Sequence, residues 1–153
     1  MSDMIQDSKI KTLQVDWVDL PRHTGPRVID PAGDLRVIRE FLTRDPWQWF
    51  IQFVIPGVVA HHGRVVEYSG FHFIGDLDPG DELFEGVQIF DPIDTIYVSE
   101  AAFEQLMSRY VAVIVNAVTE RQRPEMNEPW WPELVANGRL LAERAAAGDR
   151  YPR

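Results

Sequence analysis

The chain has 153 residues, 45% hydrophobic and 25% charged, which is typical of one globular domain. It contains no cysteine, which excludes disulfides, thiolate chemistry and cysteine-ligated metal sites. The formal net charge of −9 argues against direct binding of nucleic acid or of an anionic membrane surface, because both require a basic face.

The N-terminal residues lack the basic and apolar regions of a signal peptide. The longest apolar stretches, near residues 50–60 and 111–115, are too short to span a membrane. We therefore expect a cytoplasmic protein that forms a single domain over residues 1–153, with frayed ends at 1–9 and 148–153.

Patterns in the first third of the chain predict a strand, a helix and a second strand. Apolar and polar residues alternate over 13–17, which predicts a strand, and the glycines and prolines of 21–33 predict a loop. A helix is expected over residues 34–43. The aromatic and β-branched stretch 47–55 predicts a strand, ended by a turn at Pro56-Gly57.

The middle of the chain predicts an antiparallel meander. Alternation over 64–74 indicates one strand, and an acidic turn follows at 75–80. Further strands are expected over 83–90 and 95–98. Consecutive strands with short turns are typical of antiparallel pairing.

The C-terminal third predicts two helices. Ser99 is a suitable N-cap for a long helix over about 100–121, where apolar residues recur at helical spacing. A final helix is expected over 132–147, although Asn137-Gly138 weakens its middle. The element order predicts an α+β fold, with an antiparallel sheet of about four to six strands and helices packed on it.

No stretch of the sequence carries a recognisable catalytic or metal-binding motif. His61-His62, even with His72 and His23, lacks a zinc-ligand spacing, and residues 76–82 do not fit a calcium loop. Nucleophile-elbow and phosphate-binding glycine motifs are also missing. We therefore expect no catalytic residues, metal or cofactor, and a binding protein rather than an enzyme.

The charge is concentrated in one segment. Residues 65–108 contain ten acids and no Lys or Arg, a local charge of −10, whereas the remaining residues carry a net +1. Such a segment can be a solvated face that maintains solubility. It can also be an acidic surface that matches a basic partner and speeds association with it.

Trp130 and Trp131 stand between Pro129 and Pro132 in the break before the final helix. Tryptophan often packs in the core, but an exposed pair beside Glu128 and Glu133 would be an effective binding anchor. Both tryptophans are therefore candidate partner-binding residues.

The acidic, β-rich middle leads into the strand-to-helix step TIYVSEAAF at 95–103, followed by LM-x-RY at 106–110. These features resemble the immunity proteins of bacterial polymorphic toxins, including contact-dependent growth inhibition systems, over residues 45–135. The resemblance implies a cytoplasmic protein that binds and neutralises a cognate toxin C-terminal domain, often a nuclease with a basic cleft. An acidic patch can replace phosphate in such a cleft. The candidate patch comprises Asp76, Asp78, Asp81, Glu82 and Glu85.

Two other functions remain open. The chain can be a small enzyme that uses His61, His62 or His72 with nearby carboxylates, or an adaptor subunit of a permanent complex. A bound metal or a buried His–Asp pair in a pocket would favour the enzyme, and a large exposed apolar patch would favour the adaptor. We do not expect a small-molecule ligand.

Overall fold

A computed structural model describes residues 3–148, which form five α-helices and six strands in two antiparallel sheets. The strands are β1 (Gln14–Leu20), β2 (His23–Ile29), β3 (Arg64–Val66), β4 (Ser69–Phe73), β5 (Val87–Phe90) and β6 (Thr95–Val98). The helices are α1 (Asp7–Lys11), α2 (Arg36–Leu42), α3 (Trp47–Ala60), α4 (Glu100–Glu120) and α5 (Trp131–Ala147). The predicted α+β class, with antiparallel strands and a long helix, is confirmed.

Strands β1 and β2 form a separate two-stranded hairpin. The prediction of a loop over residues 21–33 is wrong, because His23–Ile29 pairs with β1 along its whole length. Pro26 lies opposite Trp17 in this pairing. Proline is tolerated there because each strand of a two-stranded sheet keeps one unpaired edge.

The stretch 47–55 is helical, so the predicted strand and the turn at Pro56-Gly57 are both wrong. Within α3 the buried apolar residues fall three or four positions apart, at Trp47, Phe50, Ile51, Val54, Ile55 and Val58. This spacing places them on one helical face, and core packing outweighs the β-propensity of the aromatic and branched residues. Pro56 lies inside the helix, which ends at His61 in a left-handed conformation with φ of 55°.

The other four strands form a meander in the order β3-β4-β5-β6. The single strand predicted over 64–74 is two strands, joined by a turn at Glu67-Tyr68 where both residues have positive φ. Positive φ at both central positions is the geometry of a two-residue hairpin turn. Residues 83–86 precede β5 as irregular backbone, so the strand predicted over 83–90 begins only at Val87.

One face of the meander is buried and the other is half open. The buried face carries Phe71 and Phe73, whose rings pack against Phe103 of α4. On the other face the register aligns His72, Gln88 and Tyr97 across three strands. Gln88 lies 3.2 Å from His72 Nδ1 through its Oε1, and its Nε2 donates to the Tyr97 hydroxyl at 3.2 Å.

Helix α4 lies at the centre of the fold, as its strong periodicity predicts. Ser99 caps it through a hydrogen bond from the Ala102 N–H to Ser99 Oγ. The predicted helix over 132–147 is also confirmed, and Asn137-Gly138 does not interrupt it. Gly138 permits close packing on α4, since a Cβ at this position would lie 2.7 Å from Val111 Cγ1.

The N-terminal residues are tied to the fold, contrary to the expectation that residues 1–9 are frayed. The Ile5 N–H donates to the Tyr97 carbonyl at 2.8 Å, and Ile10 of α1 is buried. Residues 1–2 and 149–153, where fraying was also expected, lie outside the described part of the chain. Among residues 3–148, no helix has both the length and the apolar character of a membrane span.

Tyr110 of α4 is fully buried, and its hydroxyl donates to the Leu42 carbonyl at the end of α2, at 2.9 Å. Burial raises the pKa of this phenol far above its ordinary value, so the hydroxyl remains protonated.

Tyr110→Phe leaves a buried carbonyl without this donor, and we expect the free energy of unfolding to fall by about 1–2 kcal/mol in chemical denaturation. The control Tyr68→Phe, at a side chain 81% exposed, should change it by less than about 0.5 kcal/mol. Equal effects of the two variants would contradict the prediction.

Asp91 joins the β5–β6 turn to α2. Its Oδ2 accepts from Arg36 at 2.7 Å and its Oδ1 accepts from the Ile93 and Asp94 N–H groups, and these bonds lower its pKa from 3.8 to about 2. The ion pair with Arg36 therefore stabilises the fold fully above about pH 4 and is lost as the pH falls through about 2.

The variant Asp91→Asn isolates this contribution. We expect wild type to exceed the variant by about 1–2 kcal/mol near pH 6, with the difference shrinking toward zero between about pH 4 and pH 2. Urea denaturation at several pH values measures it. A difference that does not depend on pH would show that the charge of Asp91 is not what stabilises the turn.

Candidate partner-binding groove

A groove of about 450 Å³ lies between the segment before β5 and the N-terminal residues, with Tyr97 of β6 in its lining. We call it the acidic groove; it is lined by Asp3, Met4, Glu82, Leu83, Phe84, Glu85 and Tyr97. The hydrogen bond from the Ile5 N–H to the Tyr97 carbonyl holds the N-terminal wall against β6. The opposite wall turns into β5 at Gly86, where φ is 75° and a Cβ would collide with the Val98 carbonyl.

Two aromatic residues give the groove its apolar surface. Phe84 is buried, and its ring centroid lies 5.7 Å from that of the half-buried Tyr97. The Tyr97 hydroxyl accepts from Gln88, which orients the ring on the open face of the sheet. Leu83, 73% exposed, adds an apolar side chain at the edge. The groove therefore combines a fixed aromatic surface with an accessible aliphatic group.

The charged groups of the groove are all acidic. Its lining contains three carboxylates, from Asp3, Glu82 and Glu85, and no Lys, Arg or His. None of these three carboxylates forms an ion pair within residues 3–148. The groove therefore presents negative charge that the described part of the chain does not neutralise.

Elsewhere in the acidic segment, basic residues from outside it pair with Glu67, Asp91, Asp94 and Glu104. Arg36 pairs with Asp91 at 2.7 Å, and Arg44 lies 3.3 Å from Glu67. Arg144 lies 3.4 Å from Glu104. The charge segregation seen in the sequence is thus reduced in the fold, but Glu100 and the acids of residues 76–85 form no ion pair within residues 3–148.

The five predicted patch residues have different positions. Glu82 and Glu85 line the acidic groove. Asp78 and Asp81 belong to the exposed turn before it, where Asp81 Oδ2 accepts the Asp78 N–H at 2.8 Å. Asp76 is a half-buried structural residue, because its Oδ2 accepts from the N–H groups of Gly63 at 2.8 Å and Phe73 at 2.7 Å.

The two predicted tryptophans do not line the acidic groove. Trp131 is 7% exposed and packs in the core, which leaves it little surface to offer a partner. Trp130 is half-buried, and its ring lies 6.0 Å from that of Trp131. It lines a smaller cavity of about 120 Å³ between α3 and α5. The structure therefore separates the tryptophans from the carboxylates with which they were predicted to act.

Five groove residues were missing from the sequence-based candidates: Asp3, Met4, Leu83, Phe84 and Tyr97. Asp3 reaches the groove only because the N-terminal segment pairs with β6, a contact between residues 92 positions apart. Leu83 was assigned to the strand predicted over 83–90, whereas it is exposed in the irregular backbone before β5. Tyr97 was assigned only to a strand, because its face depends on the pairing register.

Potential metal ligands converge at a different place. His61, Glu100 and Glu104 each offer one ligand atom, and these atoms lie within 4.8 Å of one another. Among the described residues, His23, His62 and His72 take part in no such group. The candidate ligand set thus differs from the His61-His62 combination, which was rejected from the sequence for lack of a zinc-ligand spacing.

A scan against protein-family models finds no match for this chain, and searches of curated proteins and of solved structures find none either. Function must therefore be inferred from the chemistry of the described residues.

The different positions of the predicted acids lead to a stability prediction. Asp76→Ala removes the acceptor for two backbone N–H groups, and we expect the free energy of unfolding to fall by about 1–3 kcal/mol. Glu82→Ala and Glu85→Ala remove exposed side chains and should change it by less than about 0.5 kcal/mol. Thermal and chemical denaturation of the three variants test this, and an Asp76→Ala variant as stable as the other two would refute the structural role.

Proposed function

We propose that this chain is a protein-binding domain that receives a basic segment of a partner in the acidic groove, and that it acts as an immunity protein toward a toxin domain. The observation that carries the proposal is the set of three carboxylates, unpaired within residues 3–148, beside Tyr97 and Leu83. Negative charge next to an accessible apolar surface is suited to a protein partner rather than to a phosphate-bearing ligand.

Arginine is the partner side chain that this groove suits best. Its guanidinium binds carboxylates through two parallel hydrogen bonds and stacks on aromatic rings. Glu82, Glu85 and Asp3 supply the carboxylates, and Tyr97 supplies the ring. A volume of about 450 Å³ is within the usual range of ligand sites, so a short segment with more than one basic residue has room to enter.

The exposure of the carboxylates determines what they contribute. Charges at a solvated edge add little to affinity, but they accelerate encounter and discriminate against acidic partners. Burial of the exposed Leu83 on contact supplies apolar stabilisation. A toxin inhibitor needs fast association and tight binding, because the toxin must be blocked before it acts.

Neutralisation of a toxin is the specific form that the resemblance of residues 45–135 supports. A nuclease cleft is basic because it binds phosphate, and an acidic groove complements such a surface. Acids outside the groove extend the complementary area, since Asp78 and Asp81 lie in the exposed turn immediately before it.

The adaptor alternative requires a continuous exposed apolar face, and the described residues do not provide one around the groove. Exposed large apolar side chains lie on several elements, with Ile93 in the β5–β6 turn, Tyr68 in the β3–β4 turn and Trp49 stacked on Phe53 of α3. Single apolar residues and small groups of them are ordinary on protein surfaces.

The test pairs this chain with the C-terminal domain encoded by the neighbouring gene. We expect co-expression to rescue cells from that domain, and the purified pair to bind with an affinity that falls as salt is raised. The double variant Glu82→Lys/Glu85→Lys should weaken binding by at least about tenfold and abolish rescue.

A matched control has the same change in charge at exposed acids outside the groove, in Glu120→Lys/Glu143→Lys. Its affinity should remain within about threefold of wild type, since only long-range attraction is altered. A harmless neighbouring domain, no complex at either salt concentration, or equal effects of the two double variants would refute the proposal.

A further inference from the structure

We propose that His61, Glu100 and Glu104 form a binding site for a divalent transition-metal ion of the zinc class, where α3, α4 and α5 meet. The site shares no residue with the acidic groove and does not depend on the proposed function. Of the four histidines, only His61 takes part, and both carboxylates come from α4.

The distances between the ligand atoms are closer to those between two ligands of one metal ion than to a hydrogen-bond length. His61 Nε2 lies 3.9 Å from Glu104 Oε1, which is too long for a hydrogen bond. Zinc binds imidazole nitrogen and carboxylate oxygen at about 2.0–2.2 Å, so two ligands of one ion lie about 3–4.4 Å apart. The third atom, from Glu100, is within 4.8 Å of both, and a shift of a few tenths of an ångström completes the set.

His61 provides an independent indication of a missing ligand. Its Nε2 atom is buried, yet it has no hydrogen-bond partner among the described residues. Buried polar atoms without partners are rare in folded proteins, and a bound ion or water commonly satisfies such an atom. The ring is held by stacking on Phe73, with centroids 5.0 Å apart.

The backbone holds His61 at the end of α3. The residue has a left-handed conformation, and the next N–H, of His62, donates to the Gly57 carbonyl at 2.9 Å. This arrangement closes the helix and directs the His61 side chain toward α4. His62 follows it in the chain but is exposed and remains outside the cluster.

Both glutamates come from the first turns of α4. They are four residues apart, so their side chains lie on the same face of the helix. Glu104 is fully buried, and Arg144 Nη1 lies 3.4 Å from its Oε2, on the oxygen that does not face His61. Arg144 also donates to the Val59 carbonyl at 2.9 Å, which ties α5 to α3.

In known metal sites, groups that do not touch the metal often hydrogen-bond to its ligands and orient them. Arg144 is placed to orient the Glu104 carboxylate in this way. The two carboxylates supply the negative charge that attracts a cation. One nitrogen and two oxygen ligands favour zinc, manganese or iron over calcium, which prefers oxygen alone. Glu100 and His61 are half-buried, so the site is accessible from one side.

The test uses zinc on the full chain after removal of metal with a chelator. Competition with a chromophoric chelator should show one zinc per chain, and Co²⁺ should give visible absorption bands from protein coordination. His61→Ala and Glu100→Gln should each weaken zinc binding by at least about tenfold, because each removes a ligand. Zinc should also raise the melting temperature of wild type but not of His61→Ala.

The control is His62→Ala, which removes a neighbouring histidine from outside the cluster and should bind zinc as wild type does. Glu104 is left intact, since its removal would take a carboxylate away from the buried Arg144 and could destabilise the fold. Circular dichroism of the metal-free variants verifies that each one is folded. No stoichiometric zinc binding by wild type, or binding that His62→Ala abolishes and His61→Ala retains, would overturn the proposal and leave the acidic groove unaffected.

Discussion

The constraint on which the rest of the structure depends is the burial of α4. Its apolar residues are buried by packing against several other elements. The same elements form hydrogen bonds or ion pairs with the polar groups of α4 that this packing removes from water. Tyr110 donates to the end of α2, and Arg109 donates to the carbonyls of Ile10 and Leu13 beside α1. Glu104 meets Arg144 of α5. Each polar contact fixes where one neighbour sits, because a buried group without a partner is costly.

The start of α4 also determines where the two proposed sites lie. Tyr97 of the acidic groove and Glu100 of the proposed metal site are only three residues apart, on either side of the Ser99 cap. Strand geometry directs Tyr97 to the open face of the sheet, whereas helical geometry directs Glu100 and Glu104 to a common face. One strand-to-helix step therefore places residues of both proposed sites on different surfaces, and such elements position groups better than loops do.

Elements with one clear periodicity were predictable from the sequence, and elements with competing signals were not. Helix α4 and strand β6 have a single pattern and an N-cap between them, so both predictions succeed. Helix α3 is apolar at most positions and contains Pro56, so composition indicated a strand although the buried positions follow helical spacing. Among the groove residues, Glu82 and Glu85 were predicted from charge alone. Asp3 was not, because its place depends on a long-range pairing that a single sequence does not display.

The acids of the middle segment divide according to their surroundings, and this division determines which of them can act. Asp91 and Glu104 have side chains 10% and 0% exposed, and each has an arginine partner, because an isolated buried charge is strongly destabilising. Glu82 and Glu85 remain in water, where an unpaired carboxylate keeps its hydration and costs nothing. The net charge of the segment therefore overstates what is available for binding. The available part is the unpaired remainder, most of which belongs to residues 76–85, in and before the acidic groove.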